Sequence, residues 1–192
     1  RPVTQQTADF YQEHKHLFVK GIIDKSYCDH LDSDVRESIK KGEFRSYDAS
    51  IPSYYVLSYA TYFEKLLLEF QSNFESLMNK RLHPTYTCCR MYHRGDFLPA
   101  HTDQDSCEYS ATITLGMSNN PWEFCVSKDG TLDNYTPFKM DVGDCVLYNG
   151  KILHWRTGAL QGDWHCQVFL HYVDADGPYS KWIYNGREKL NL

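Results

Sequence analysis

The chain has 192 residues, of which 42% are hydrophobic and 15% aromatic, and its formal net charge is −5 with neutral histidine. This composition predicts a globular protein with a sizeable core and excludes a disordered one. No apolar run reaches the roughly 18 residues that mark a membrane helix, and the acidic balance argues against nucleic acid as a partner.

The cysteine pattern predicts the redox compartment. The seven cysteines are an odd number and show no C-x-x-C spacing, which argues against a zinc finger and against a fully paired disulfide framework. We therefore expect free thiols, most of them buried, in a cytoplasmic protein.

Helical signals dominate residues 1–83. A short helix over 7–14 leads into a strand over 17–23, and Asp24 stands where it can cap the next helix. The apolar stripe of that helix has helical spacing and consists of Cys28, Leu31, Val35 and Ile39. A further helix is predicted over 61–80, where Thr61 and Glu64 form a T-x-x-E capping box. Its apolar face favours packing against a sheet.

From Pro84 onward the sequence favours short strands separated by turns. Strands are predicted over 85–92, 109–115, 122–126, 136–140, 144–148 and 166–173. Many short strands at near-regular spacing indicate an antiparallel sandwich or barrel. We therefore expect one α+β domain over 1–192, with mainly helical support in 1–83 and a β core in 84–175. The segment 47–53, between two predicted helices, is expected to be a mobile substrate lid.

Two His-x-Asp pairs stand out among the nine histidines. His30 and Asp32 lie on a predicted helix, where residues two apart point to different faces, so we expect a solvated helix surface there. His101 and Asp103 follow a glycine-containing loop in an extended segment. Residues two apart on such a segment share a face, so this imidazole and this carboxylate can hold one ion.

A catalytic metal needs a third ligand, and His154 is the candidate. It lies on the strand predicted after the Asn149-Gly150 turn. Two histidines and one carboxylate on one face form the facial triad of non-heme Fe(II) oxygenases, although a zinc hydrolase could use the same ligands. His171, in the last predicted strand, is expected instead to be a hydrogen-bonded core histidine.

The combined motifs resemble a known family. They are R-M-Y-H-R-G-D-F-L-P-A-H-T-D over 90–103, the strand 109–115, G-D-C-V-L-Y over 143–148 leading to His154, and Q-V-F-L-H-Y-V-D over 167–174. This set is similar to the Fe(II)- and 2-oxoglutarate-dependent oxygenases of the prolyl-hydroxylase-like type. The resemblance implies a double-stranded β-helix (jelly roll) braced by N-terminal helices, with Fe(II) held by His101, Asp103 and His154.

The implied activity is hydroxylation of a C–H bond by O2, coupled to conversion of 2-oxoglutarate to succinate and CO2. By resemblance, the substrate would be a prolyl or other residue of a protein or peptide. A free small molecule is the alternative substrate, and a metal-binding cupin-like module without oxygenase activity is the alternative function.

The residue that binds the far carboxylate of 2-oxoglutarate departs from the family pattern. The family commonly places Lys or Arg about ten residues beyond the distal histidine, and 162–166 holds neither. Arg156 shares a strand face with His154 and suits a carboxylate, although it could pair with an internal Asp or Glu instead. Tyr92 matches a tyrosine that donates a hydrogen bond to 2-oxoglutarate in the family, although it could be an ordinary core aromatic instead. Arg90 and His165 are further alternatives.

Overall fold

The structure is a computed structural model and describes residues 3–46, 55–118 and 121–192. In these ranges the helices are α1 (Val3–His14), α2 (Lys25–Lys40) and α3 (Thr61–Met78). The early strands are β1 (His16–Val19), β2 (Arg45–Ser46) and β3 (Tyr55–Ser58). The later strands are β4 (Leu82–His93), β5 (Tyr109–Met117), β6 (Phe124–Ser127), β7 (Thr136–Phe138), β8 (Cys145–Asn149), β9 (Leu153–Arg156) and β10 (Trp164–Asp174). Short 3-10 segments cover Asp105–Cys107 and Ser180–Gly186.

The strands form two antiparallel sheets packed against each other. The large sheet has the strand order β1-β8-β5-β10-β4-β3-β2, and the small sheet has the order β7-β6-β9. An apolar cluster joins them, because Phe124 and Val126 of β6 pack with Val146 and Tyr148 of β8. From β5 onward the chain passes repeatedly between the two sheets, at β5 to β6, β7 to β8, β8 to β9 and β9 to β10, which confirms the expected α+β fold with a jelly-roll core.

The two faces of the large sheet differ chemically, because side chains alternate along each strand. The outer face belongs to the main core under the helices and includes Cys89, Met91, Val168 and Leu170. The inner face is turned toward the small sheet and is rich in polar groups. These are Arg90 and Tyr92 from β4, Ser110, Thr112 and Thr114 from β5, and His165, Gln167 and His171 from β10. The helices therefore cover one face and leave the other for chemistry.

α2 forms as its sequence predicts. Asp24 is the N-cap, and its carboxylate accepts a 2.8 Å hydrogen bond from the backbone N–H of Tyr27, one of the donors left free at a helix start. Cys28, Leu31 and Val35 are buried on its apolar stripe. The helix ends at a C-cap followed by Gly42, whose φ of +74° is a left-handed conformation that glycine adopts without strain.

α3 begins at Thr61, but the predicted capping box is wrong. Its N-cap is Ala60, without a capping side chain among the described residues. Glu64 is fully buried and accepts hydrogen bonds from Arg187 at 2.8 and 3.0 Å and from the backbone N–H of Asn191 at 2.7 Å. A buried carboxylate gains more from a bidentate guanidinium than from one backbone amide, so a distant partner overrides the local motif.

Residues 1–83 contain more strand than predicted. β2 and β3 extend the large sheet, with Val56 opposite both Arg45 and Arg90, and β1 ends at Val19 rather than at residue 23. β3 becomes a strand because the edge of β4 supplies its backbone partners, and β2 then pairs with β3, which local sequence does not reveal. The expected lid over 47–53 lies outside the described residues. No helix in the described ranges is long and apolar enough to cross a membrane.

Candidate active site

The three predicted metal ligands lie together at the edge of the small sheet. His101 pairs with His154 of β9 through two backbone hydrogen bonds, of 3.1 Å from the His101 N–H and 3.0 Å from the His154 N–H. The backbone N–H of Asp103 donates to the carbonyl of Gly150 at 2.8 Å. One ligand atom from each of the three side chains lies within 4.8 Å of the other two. Strand pairing therefore brings the two halves of the site into register.

Backbone carbonyls set the tautomer of both imidazoles. Nδ1 of His101 lies 2.9 Å from the carbonyl oxygen of Pro99, and Nδ1 of His154 lies 2.8 Å from that of Ile152. Because a carbonyl oxygen only accepts, we assign the proton to each Nδ1, which leaves a lone pair on each Nε2. These Nε2 atoms lie 3.4 and 3.3 Å from the two carboxylate oxygens of Asp103.

This donor set fits a divalent metal. Two lone pairs and a carboxylate repel one another unless a cation lies between them, and two His and one carboxylate form the Fe(II) triad. Burial raises the pKa of the Asp103 carboxyl, but the neighbouring side chains of His101 and His154 outweigh burial and hold that pKa well below its usual value. Asp103 is therefore ionised at neutral pH, as a metal ligand must be.

A recess opens onto the triad between the two sheets. It holds about 400 Å³ of empty space including its open mouth. Its wall comes largely from the inner face of the large sheet. The lining residues are Tyr86, Cys88, Arg90, Leu98, His101, Asp103, Cys107, Tyr148, His154, Phe169 and His171. Among the described residues that line the recess, Arg90 is the one with a guanidinium group, and neither Arg156 nor Tyr92 lines the recess.

Arg156 is a buried cation inside the β core. Its Nη1 donates a 2.7 Å hydrogen bond to the carbonyl of Trp122, and its guanidinium carbon lies 5.4 Å from the ring centres of Trp122 and Phe124. Among the described residues, Nε and Nη2 have no hydrogen-bond partner. Burial lowers the pKa of Arg156 to about 10, so it remains charged at neutral pH. Two unused donors on a buried cation fit a carboxylate better than they fit an empty core.

Tyr92 and His165 lie near Arg156. The Tyr92 ring is 5.1 Å from that of Trp122 and 6.3 Å from that of His165. Burial and the charge of Arg156 lower the pKa of His165 to about 3, so this imidazole is neutral. Its Nε2 lies 2.7 Å from Oε1 of Gln167. Three of the four sequence-predicted candidates for a carboxylate anchor, Arg156, Tyr92 and His165, are therefore neighbours in the β core, whereas the fourth, Arg90, lines the recess at the triad.

The structure corrects one surface prediction and adds a polar network. His30 is exposed on α2 as expected, but the Asp32 side chain is largely buried and accepts a 2.8 Å hydrogen bond from Arg36. On the inner face, the Gln167 amide joins two threonine hydroxyls, at 2.9 Å from Thr114 and 2.6 Å from Thr112. Sequence reasoning missed this network, although polar residues at 110, 112 and 114 form a period-two stripe that predicts a polar sheet face.

Comparison with known proteins supports the fold. No protein-family model matches the sequence, and no curated protein matches it significantly. Among solved structures, the 2-oxoglutarate-dependent epimerase SnoN from nogalamycin biosynthesis has a TM-score of 0.75 at 12% identity, covering 90% of this chain and 83% of SnoN. HygX from Streptomyces hygroscopicus, with nickel and 2-oxoglutarate bound, has a TM-score of 0.70 at 12% identity, with coverages of 91% and 89%.

A Pseudomonas putida prolyl-4-hydroxylase has a TM-score of 0.68 at 14% identity, covering 88% of this chain and 99% of the hydroxylase. These proteins differ in chemistry but share one architecture, the one that the motifs of this chain imply. The chain therefore has the jelly-roll fold of the 2-oxoglutarate- and Fe(II)-dependent oxygenases.

Proposed function

We propose that the chain is an Fe(II)- and 2-oxoglutarate-dependent dioxygenase that hydroxylates a C–H bond, with release of succinate and CO2, and that residues 1–192 form one catalytic domain. The observation that carries this proposal is the convergence of two imidazole lone pairs and one carboxylate within 4.8 Å. Both imidazoles are fixed by backbone carbonyls, so the site is already arranged for a metal.

In this reading His101, Asp103 and His154 hold the iron, which with 2-oxoglutarate supplies the activation of O2. The protein itself positions these ligands. Paired backbone hydrogen bonds between His101 and His154, and the bond from the Asp103 N–H to the carbonyl of Gly150, keep the three ligands in position.

Arg156 is the proposed anchor for the far carboxylate of 2-oxoglutarate. Its unused Nε and Nη2 donors support this role, and the expected alternative, pairing with an internal carboxylate, has no support among the described residues. Tyr92 would help to bind the same carboxylate. Arg90 lines the recess at the triad, so it is the competing anchor.

Two substrate classes remain candidates. A prolyl or other protein or peptide residue is supported by the likeness to the Pseudomonas putida prolyl-4-hydroxylase. A free small molecule is supported by the polar recess and by the likeness to HygX, which has been solved with hygromycin B bound. We place the protein in the cytoplasm, because all seven cysteines are free and buried.

An anaerobic titration tests the proposal. Fe(II) and then 2-oxoglutarate are added to the metal-free chain, and the visible charge-transfer band of a chelated 2-oxoacid is recorded. We expect the band in the wild type and in the surface variant His30→Gln, and its loss in His154→Ala. Metal binding without a band would indicate another metal enzyme, and no metal binding would indicate a binding module.

A further inference from the structure

His171 combines a fixed tautomer with a place in the recess at the triad. It lies on the inner face of β10, is 4% exposed and lines the recess beside His101, Asp103 and His154. It is not one of the three converging ligands. Its ring packs between Tyr86, at 4.7 Å between ring centres, and Phe169, at 6.3 Å. The imidazole is therefore held in one orientation.

Ser110 determines which nitrogen of His171 carries the proton. The Ser110 hydroxyl donates to the carbonyl of Cys107 at 2.9 Å and lies 2.7 Å from Nδ1 of His171. A hydroxyl has one proton, so it must accept from Nδ1–H. The Nε2 atom then carries a lone pair, and no described residue forms a hydrogen bond with it. Burial, with a smaller contribution from the charge of Arg90, lowers the pKa of His171 to about 4, against an opposing effect of Asp103.

Arg90 contributes a cation to the same wall. It lies on β4 opposite Gln167 of β10, and its guanidinium carbon is 5.8 Å from the centre of the Phe169 ring. A guanidinium offers five donors and no acceptor, and it suits a carboxylate or a phosphate. The wall therefore joins one acceptor, His171 Nε2, to one anion-binding group.

We propose that His171 and Arg90 bind the substrate, and that the substrate is a compact organic anion bearing a hydroxyl or amino group. His171 Nε2 accepts a hydrogen bond from that group, and Arg90 pairs with the anion. This inference rests on the proposed function, because it takes the recess beside the iron as the substrate site. A recess built to accept a hydrogen bond discriminates against an analogue that lacks the donor, since its own polar atom is then left unpaired.

The first test reads the tautomer of His171 by 15N NMR of the metal-free chain, which requires no substrate. We expect a protonated Nδ1 and a bare Nε2, and in Ser110→Ala a mixture of both tautomers. A protonated Nε2 in the wild type would overturn the proposal.

The second test measures binding of small anions to the anaerobic Fe(II)–2-oxoglutarate complex by calorimetry. Glycolate is compared with acetate, and lactate and glycerate with propionate, while the charge-transfer band is monitored. We expect the hydroxy acids to bind roughly 3- to 10-fold more tightly than their counterparts. His171→Phe should remove this ratio without weakening acetate or propionate, and Arg90→Met should weaken both members of each pair alike.

The outcomes separate this inference from the proposed function. Equal binding within pairs, no binding by any anion, or an unchanged ratio in His171→Phe overturns the substrate assignment. Loss of the band in Arg90→Met would make Arg90 the cosubstrate anchor, and loss of the band on adding a hydroxy acid would mean binding at the metal. Both results overturn the inference and leave the oxygenase intact. A wild type without a band overturns the proposed function itself.

Discussion

Gly150 allows the turn before β9 to pass close to the segment that carries Asp103 and Cys107, and Gly150→Ala tests how strictly the site depends on that contact. A Cβ at this position would lie 2.1 Å from the carbonyl oxygen of Cys107 and 3.3 Å from Cβ of Asp103. The shortest ordinary C···O contact is about 3.3 Å, so the backbone would have to move by roughly 1 Å. Gly150 also accepts the backbone hydrogen bond of Asp103, so the ligand would move with it.

A ligand displaced by this distance loses much of its metal affinity. Loss of the groups that support a ligand weakens metal binding on the order of 10- to 100-fold. We therefore expect Gly150→Ala to raise the Kd for Fe(II) by about that factor in an anaerobic titration, with the protein still folded by circular dichroism.

Gly130→Ala is the matched control. Gly130 has a φ of +78° and nothing within 4 Å of the added Cβ. The change should cost about 1–2 kcal/mol of folding free energy through backbone strain and leave metal affinity unchanged. Wild-type affinity in Gly150→Ala, or an equal loss in Gly130→Ala, would refute the reasoning.

Three further predictions concern buried ionisable groups. Glu64→Gln should lower the free energy of unfolding by about 3–5 kcal/mol in urea denaturation, because it leaves the Arg187 guanidinium without its carboxylate; a loss below 1 kcal/mol would contradict this. The metal-free chain should lose stability as the pH falls from about 6.5 toward 4, because the folded-state pKa values of His165 and His171 are lowered to about 3 and about 4. As the pH falls, the unfolded chain therefore takes up these protons before the folded chain does, and the free energy of unfolding decreases by up to roughly 1.4 kcal/mol per pH unit for each group. A urea midpoint that stays constant from pH 7 to 5 would contradict this prediction. Arg156→Met should raise the half-saturating 2-oxoglutarate concentration about 10- to 100-fold in the band titration without changing Fe(II) affinity, and an unchanged value would leave Arg90 as the anchor.

The sequence predicts those helices and site residues whose positions depend on local periodicity. Asp24 and the stripe that follows it are enough to specify α2, and alternation along an extended segment is enough to put His101 and Asp103 on one side. His154 could be predicted as the third metal ligand because the Asn149-Gly150 turn before it predicts a new strand. Local patterns of two to four residues therefore predicted α2 and the convergence of these three side chains.

What the sequence could not predict depends on partners far along the chain. Glu64 meets Arg187 across 123 positions, and the hydrogen bond that fixes the tautomer of His171 comes from Ser110, 61 positions away. Among the described residues no carboxylate pairs with Arg156, and this too depends on how the whole core packs. Such pairs are set by sheet register, and register is a property of the whole fold.

The alternation along β10 has a consequence for how this protein can change. Odd-numbered positions such as His165 and His171 lie on the inner face, and even-numbered positions such as Val168 and Leu170 lie in the main core. A substitution at an odd position alters the chemistry of the inner face without opening a cavity under the helices, whereas truncation at an even position costs roughly 2–5 kcal/mol. Substitutions on the inner face of β10 can therefore change which ligands bind, while the residues on its core face preserve the stability of the fold.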